Sequence, residues 1–187
     1  APNDARCRIE DALDRIAEAD PISFSHIPHL LPGGIIADAT NYAGAWYSIP
    51  RKACVIGEAA LRTYPIDALA LCIIHEMCHA RLWERGIGYD EPTLRVRVEE
   101  VCIWRQIAFA RKLEARDVPP GFHTDWLDEK LSELKACDYT ETHFQSRQRQ
   151  QALQRLRLLR ETKGPRWLRR MAVLATRRRL RAQRAQT

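Results

Sequence analysis

The stretch that decides the reading is Ile66-Asp-Ala-Leu-Ala-Leu-Cys-Ile-Ile-His75-Glu76-Met77-Cys78-His79-Ala-Arg-Leu-Trp-Glu84. It is apolar almost all round and free of proline and glycine. Pro65 before it suits a first helical turn, and Gly86 after it suits a terminator. The spacing predicts a helix over Ile66–Glu84, buried in the core. Inside it lies the pattern H-E-x-x-H. Residues four apart stack on one helix face, so both imidazoles reach a single ion from one rigid element. Glu76, one residue round, can approach a water beside that ion without being a ligand. With this chain's histidine and glutamate content, such a match arises by accident in roughly 1% of sequences. The simpler alternative is a core helix whose histidines are satisfied by hydrogen bonds. Two histidines and a glutamate amid apolar residues would then each need a partner, since unpaired polar burial is costly; one metal ion supplies all of them.

Zinc is the natural ion for two imidazoles and a carboxylate in a tetrahedral site with an open fourth position. The third ligand has three candidates: Glu99, Glu100 and His123. Adjacent glutamates on a helix diverge by about 100°, so at most one of Glu99 and Glu100 points inward. The other is expected in solvent or paired with Arg95 or Arg97. Val101 and Cys102, small or apolar, are expected to keep the Glu99 face against the core.

Around this centre the chain organises as follows. Ile9, Leu13 and Ile16 share a face of a first helix over Asn3–Ala19, with Pro21 as its stop. Pro21 to Pro50, with four prolines and the Gly33-Gly34 pair, reads as loops with short extended pieces at Gly34–Ala37 and Ala45–Ser48. Lys52–Gly57 is the best strand candidate. From Pro92 a second long helix runs towards Pro119-Pro120; Leu94 to Val98 alternates like a strand, but Val96, Ile103, Ile107 and Ala110 recur at helical spacing. Leu127, Leu131 and Leu134 mark a further helix over Thr124–Ala136. The expected class is α+β: a mostly helical domain over residues 1–146 with a small sheet beside the H-E-x-x-H helix, then a basic helical arm over 147–187.

On these residues the chain resembles the zincin metallopeptidases of the gluzincin type. In that group H-E-x-x-H is followed by a glutamate on a second helix in an E-x-x-small pattern, matched here by Glu99-Glu100-Val101-Cys102. The likeness covers roughly Gly44 to Leu113. It implies His75, His79 and Glu99 as zinc ligands and Glu76 as general base, hence a zinc metalloendopeptidase acting on a peptide or protein. It also implies that an edge strand, Ala45–Ser48 or Lys52–Gly57, takes the substrate in extended form. No third histidine follows at the short metzincin interval. Gly121-Phe-His123-Thr-Asp-Trp126 bears a faint likeness to SprT-like zincins, which keeps His123 open as a ligand. Tyr89, Arg97, His123, Tyr139 and His143 are the available oxyanion donors. Cys78 is expected to be a packed thiol pointing away from both imidazoles.

The net charge of +6 conceals an asymmetry. Residues 147–187 carry 14 Lys and Arg against one acid, Glu161, while residues 1–146 carry 16 basic against 23 acidic side chains. The proposed ligands all fall in the acidic part. Trp167, Leu168, Met171 and Leu174 give the arm an apolar face suited to an anionic membrane surface or an acidic partner, with nucleic acid less favoured because Trp167 is its one aromatic. A non-catalytic zinc module that binds through this arm is therefore the alternative function. No apolar run approaches the roughly 20 residues of a membrane span, and cytoplasmic and exported locations both stay open. The six cysteines lack paired CxxC spacing and are expected to be buried free thiols.

Overall fold

The computed structural model describes residues 2–39, 43–88, 92–115 and 124–136, all within the unit Ala1–Asp138. Helix α1 (Pro2–Ala19) is followed by α2 (Pro21–Leu30), β1 (Ile35–Asp38), β2 (Ala45–Ser48) and β3 (Ala53–Gly57). Helices α3 (Glu58–Thr63), α4 (Ile66–Glu84), α5 (Pro92–Glu114) and α6 (Thr124–Ala136) complete it. The described residues are thus mostly helical with one small mixed sheet, an α+β fold.

Helix α4 has the expected bounds and forms the centre of the core. Leu69, Ala70, Ile73, Ile74 and Ala80 are buried along it, and α1, α5 and β2 pack against it. Its end is set by Gly86 at φ 74°, whose N–H donates to the Trp83 carbonyl at 2.9 Å while the Ile87 N–H reaches back to Leu82 at 2.9 Å. Those two bonds satisfy carbonyls that the last turn leaves orphaned, and glycine adopts the left-handed conformation without a Cβ penalty. Helix α5 resolves the contested segment in favour of helix, although it stops at Glu114, short of Pro119. The Glu114 carboxylate accepts from the Thr124 N–H at 2.9 Å, tying the end of α5 to the start of α6. Leu127, Leu131 and Leu134 bury one face of α6 as their spacing predicts.

The loop reading of residues 21–50 is corrected over its first third, which forms α2. Asp20 caps that helix by accepting from the Ser23 N–H, and Pro21 stands where its missing N–H costs nothing. Pro21 therefore ends α1 and starts α2. The sheet has the order β1-β3-β2, with β1 parallel and β2 antiparallel to a fully buried β3. Gly33 fits beneath it because a Cβ there would lie 1.9 Å from the Arg51 carbonyl oxygen. Both flanking strands are sheet edges. Since the Gly57 N–H donates to Gly44, antiparallel alternation makes Trp46 with Val55 and Ser48 with Ala53 the bonded pairs. Ala45 and Tyr47 consequently turn their N–H and C=O groups away from β3, towards the free edge.

Among the described residues no helix is long and apolar enough to cross a membrane. The described cysteines are free thiols, with Cys54 and Cys102 buried and Cys72 and Cys78 partly so. Cys7 is exposed, contrary to the expectation of burial, because it sits on the outer side of α1. The basic arm of residues 147–187 lies outside the described residues.

Candidate metal centre

Helices α4 and α5 pack along their lengths, and the polar residues of each meet at the seam. On α4, His75 and His79 stand one turn apart with their Nε2 atoms 3.0 Å from each other. From α5, the Glu99 carboxylate comes to 3.2 Å from His75 Nε2 and 3.9 Å from His79 Nε2. The residue at His75+24 thus joins the pair across the seam, while Glu100, turned by about 100° on the same helix, faces elsewhere. All of this is enclosed: His75, Glu76 and His79 are 7%, 5% and 8% exposed. Of the other sequence candidates, Arg97 is exposed, and Tyr89, His123, Tyr139 and His143 lie outside the described residues. Val101, expected against the core, is exposed instead; the inward face of α5 is set by Val98 and Cys102.

Behind the imidazoles stands a layer that the sequence did not reveal. His75 Nδ1 lies 2.9 Å from Gln106 Oε1, and Gln106 Nε2 donates to the Leu71 carbonyl at 3.0 Å. His79 Nδ1 lies 3.5 Å from Cys102 Sγ, and the Cys102 and Cys78 thiols are hydrogen-bonded to each other. Cys78, a partly buried free thiol, is linked to His79 through Cys102. Glu99, Cys102 and Gln106 share the spacing i, i+3, i+7, a single stripe of α5. That polar stripe inside a helix with buried Ile103, Ile107 and Phe109 was the available signal.

His75, His79 and Cys102 form a group able to hold a metal ion, their donor atoms all within 4.8 Å of one another. Two donor sets therefore share the histidines: one with the Cys102 sulfur, one with the Glu99 carboxylate. They use different edges of His79, because Cys102 lies against Nδ1 and Glu99 against Nε2.

Enclosure dominates the electrostatics. Burial pushes the Glu76 carboxyl up to about 7, and the charge of Glu99 adds to it. The charge of His75, the Tyr47 backbone N–H and Lys130 work in the opposite direction. Burial and the charge of His75 push His79 down to about 3. For His75 burial also disfavours the cation, but the hydrogen bond and charge of Glu99 outweigh it and raise the pKa. Cys72, one turn before Glu76, is pushed up to about 12 by burial and by the Glu76 charge. Lys130 on α6 is near enough for its charge to be felt at His75, Glu76 and His79 alike.

Comparison with known proteins returned no match: no family model, no curated protein and no solved structure corresponds to this chain.

Proposed function

We propose that this protein is a zinc-dependent peptide hydrolase, with His75, His79 and Glu99 as ligands and Glu76 as general base. One observation carries the reading: two imidazole Nε2 atoms and a carboxylate converge within 3.0 to 3.9 Å, with the Nδ1 edge of each ring engaged from behind. Protons can bridge these groups in the metal-free protein, but a cation among them would engage all three at once, and two nitrogens with one oxygen suit zinc. The Cys102 set is less apt for this chemistry, since Cys102 Sγ lies against His79 Nδ1 whereas Glu99 lies against the Nε2 atoms of both histidines.

Zinc at that position supplies Lewis-acid activation of water and of a carbonyl oxygen. Glu76 takes the water proton on its carboxylate and later returns it to the leaving amine nitrogen. An acid that titrates near neutrality performs both transfers, and burial raises Glu76 to about 7. The Tyr47 N–H holds that carboxylate in place. The outward N–H and C=O of Ala45 and the C=O of Tyr47 would offer an extended peptide a strand to pair with, beside the Tyr47 N–H that Glu76 already uses. The basic arm is assigned a separate task, attachment to an anionic membrane surface or acidic partner; deleting residues 147–187 should lower liposome retention at low salt.

The test is metal content together with casein or peptide cleavage, with and without chelator, for wild type and Glu76→Gln. Cleavage that needs metal and disappears in the variant, with zinc retained, supports the reading; undiminished activity in Glu76→Gln overturns it. The low exposure of the site favours a second reading, a closed structural metal site using His75, His79 and Cys102. That reading predicts stoichiometric metal, no cleavage of any peptide, and loss of the fold on chelation.

A further inference from the structure

We propose that Gln106 is a positioning residue that fixes His75 as the Nδ1–H tautomer and thereby leaves its Nε2 lone pair towards Glu99 and His79. The inference rests on the reading of His75 as a metal ligand, and it concerns a residue that touches neither the ion nor a substrate.

Three choices follow from one another. A backbone carbonyl only accepts hydrogen bonds, so the Leu71 oxygen, 3.0 Å from the amide, demands the Nε2 end of Gln106. The opposite orientation would set two oxygens against each other in a place where Gln106 is 2% exposed. With the amide so oriented, Oε1 faces His75 Nδ1 at 2.9 Å, and an amide oxygen likewise only accepts. His75 Nδ1 must therefore carry the proton. A neutral imidazole with its proton on Nδ1 has its lone pair on Nε2, the atom beside Glu99 and His79. The orientation of a metal ligand is thus referred back to the helix backbone one turn before it, through a side chain from the neighbouring helix.

The arrangement also explains why a glutamine is tolerated there. Between Ile103, Ile107 and Phe109, a buried amide with either end unsatisfied would be strongly destabilising, whereas here both ends are used. His79 has a different support, the polarizable thiol of Cys102 at 3.5 Å, which can donate or accept and so imposes no tautomer by itself. Gln106 is the stricter of the two supports.

The experiment uses the full chain and Zn²⁺ alone as probe. Zinc affinity is measured by competition with a chromophoric chelator for wild type, Gln106→Leu and Gln106→Glu, and imidazole tautomers are read by ¹⁵N NMR of the metal-free proteins in alkaline buffer. Gln106→Leu should lose about 10- to 100-fold in affinity, the usual effect of removing such a partner. Its His75 should shift towards a mixture of tautomers. Gln106→Glu keeps an acceptor against Nδ1 and should fall between the two. A wild-type His75 protonated on Nε2 overturns the proposal even if no variant folds, as does a Gln106→Leu protein with unchanged tautomer and affinity. If wild type binds no zinc yet the tautomer moves in Gln106→Leu, the lock stands and the metal reading fails.

Discussion

Two buried polar clusters meet the rest of the fold at α5, and they are built on opposite principles. Around Asp20 the charges cancel: this carboxylate, 3% exposed, accepts from Ser23 Oγ at 2.7 Å and Lys112 Nζ at 2.8 Å, with Arg105 at 3.6 Å. Burial alone would raise its pKa, but the Lys112 and Ser23 hydrogen bonds prevail and lower it. Around Glu76 and Glu99 the groups do not cancel in this way. Two carboxylates and two imidazoles are gathered within a single seam, and burial drives Glu76 up and His79 down towards their neutral forms. The first cluster joins α1, α2 and α5 and is complete in itself. The second contains His75, His79 and Cys102, a group able to hold a metal ion, and strongly perturbed groups in an enclosed seam make it the candidate functional site.

The largest effect that would break this contrast is on turnover. Glu76→Gln should reduce peptide cleavage by about 10²- to 10⁴-fold, the range for losing a general base, while zinc content by atomic absorption stays at the wild-type level. Next comes the choice between donor sets. Glu99→Ala should weaken zinc binding by about 100-fold or more, and Cys102→Ala by roughly tenfold, as expected for a ligand and for a group behind one. The reverse order in a chelator competition would reassign the site to Cys102.

At the other cluster the expected change is in stability alone. Asp20→Ala removes the α2 cap and the partner of Lys112, whose exposed head limits the pair's worth, and should cost about 2 kcal/mol in urea denaturation with zinc affinity unchanged. The folded pKa of Asp20 is lowered, so its contribution is present above the unfolded value and is lost as pH falls through the folded one. Glu76 has the opposite sign. Its folded pKa is raised to about 7, so the favourable contribution of its neutral form is present below the unfolded value near 4.5 and disappears as pH rises through 7. Metal-free Glu76→Gln should accordingly be more stable than wild type at pH 8, on the order of 1 kcal/mol, and should show no such gain in acid. A variant that gains stability while losing activity would mark Glu76 as kept for chemistry rather than for the fold.

Much of this was legible in the sequence, because the governing signals are local. The continuous apolar run bracketed by Pro65 and Gly86 defines α4, and the leucines at 127, 131 and 134 define α6, with the observed bounds. Glu99 was legible through helix geometry and a family pattern, and the structure brings it beside both histidines. Helix α2 was not legible, since proline reads equally as the end of one helix and the first turn of the next; only the Asp20 cap decides between them. Gln106 escaped notice, and Cys102 was legible only as a packing position, for another reason. A single glutamine in a helix reads as surface until the partner helix is placed, and its two hydrogen bonds span sequence separations that no periodicity reports. The partner of His75 is 31 residues away.

The hydrogen bond from the Tyr47 backbone to Glu76 has a mechanical consequence. It fastens the side chain assigned to proton transfer to the same peptide unit whose neighbours form the free edge of β2. A peptide laid along that edge and the carboxylate that serves it would be measured from one common datum. A shift of the strand by one residue would displace both together, and because side chains alternate along a strand it would also remove the N–H that Glu76 uses. Changes in the turn Ile49–Lys52, which sets the register between β2 and β3, should therefore be felt at the Glu76 carboxylate.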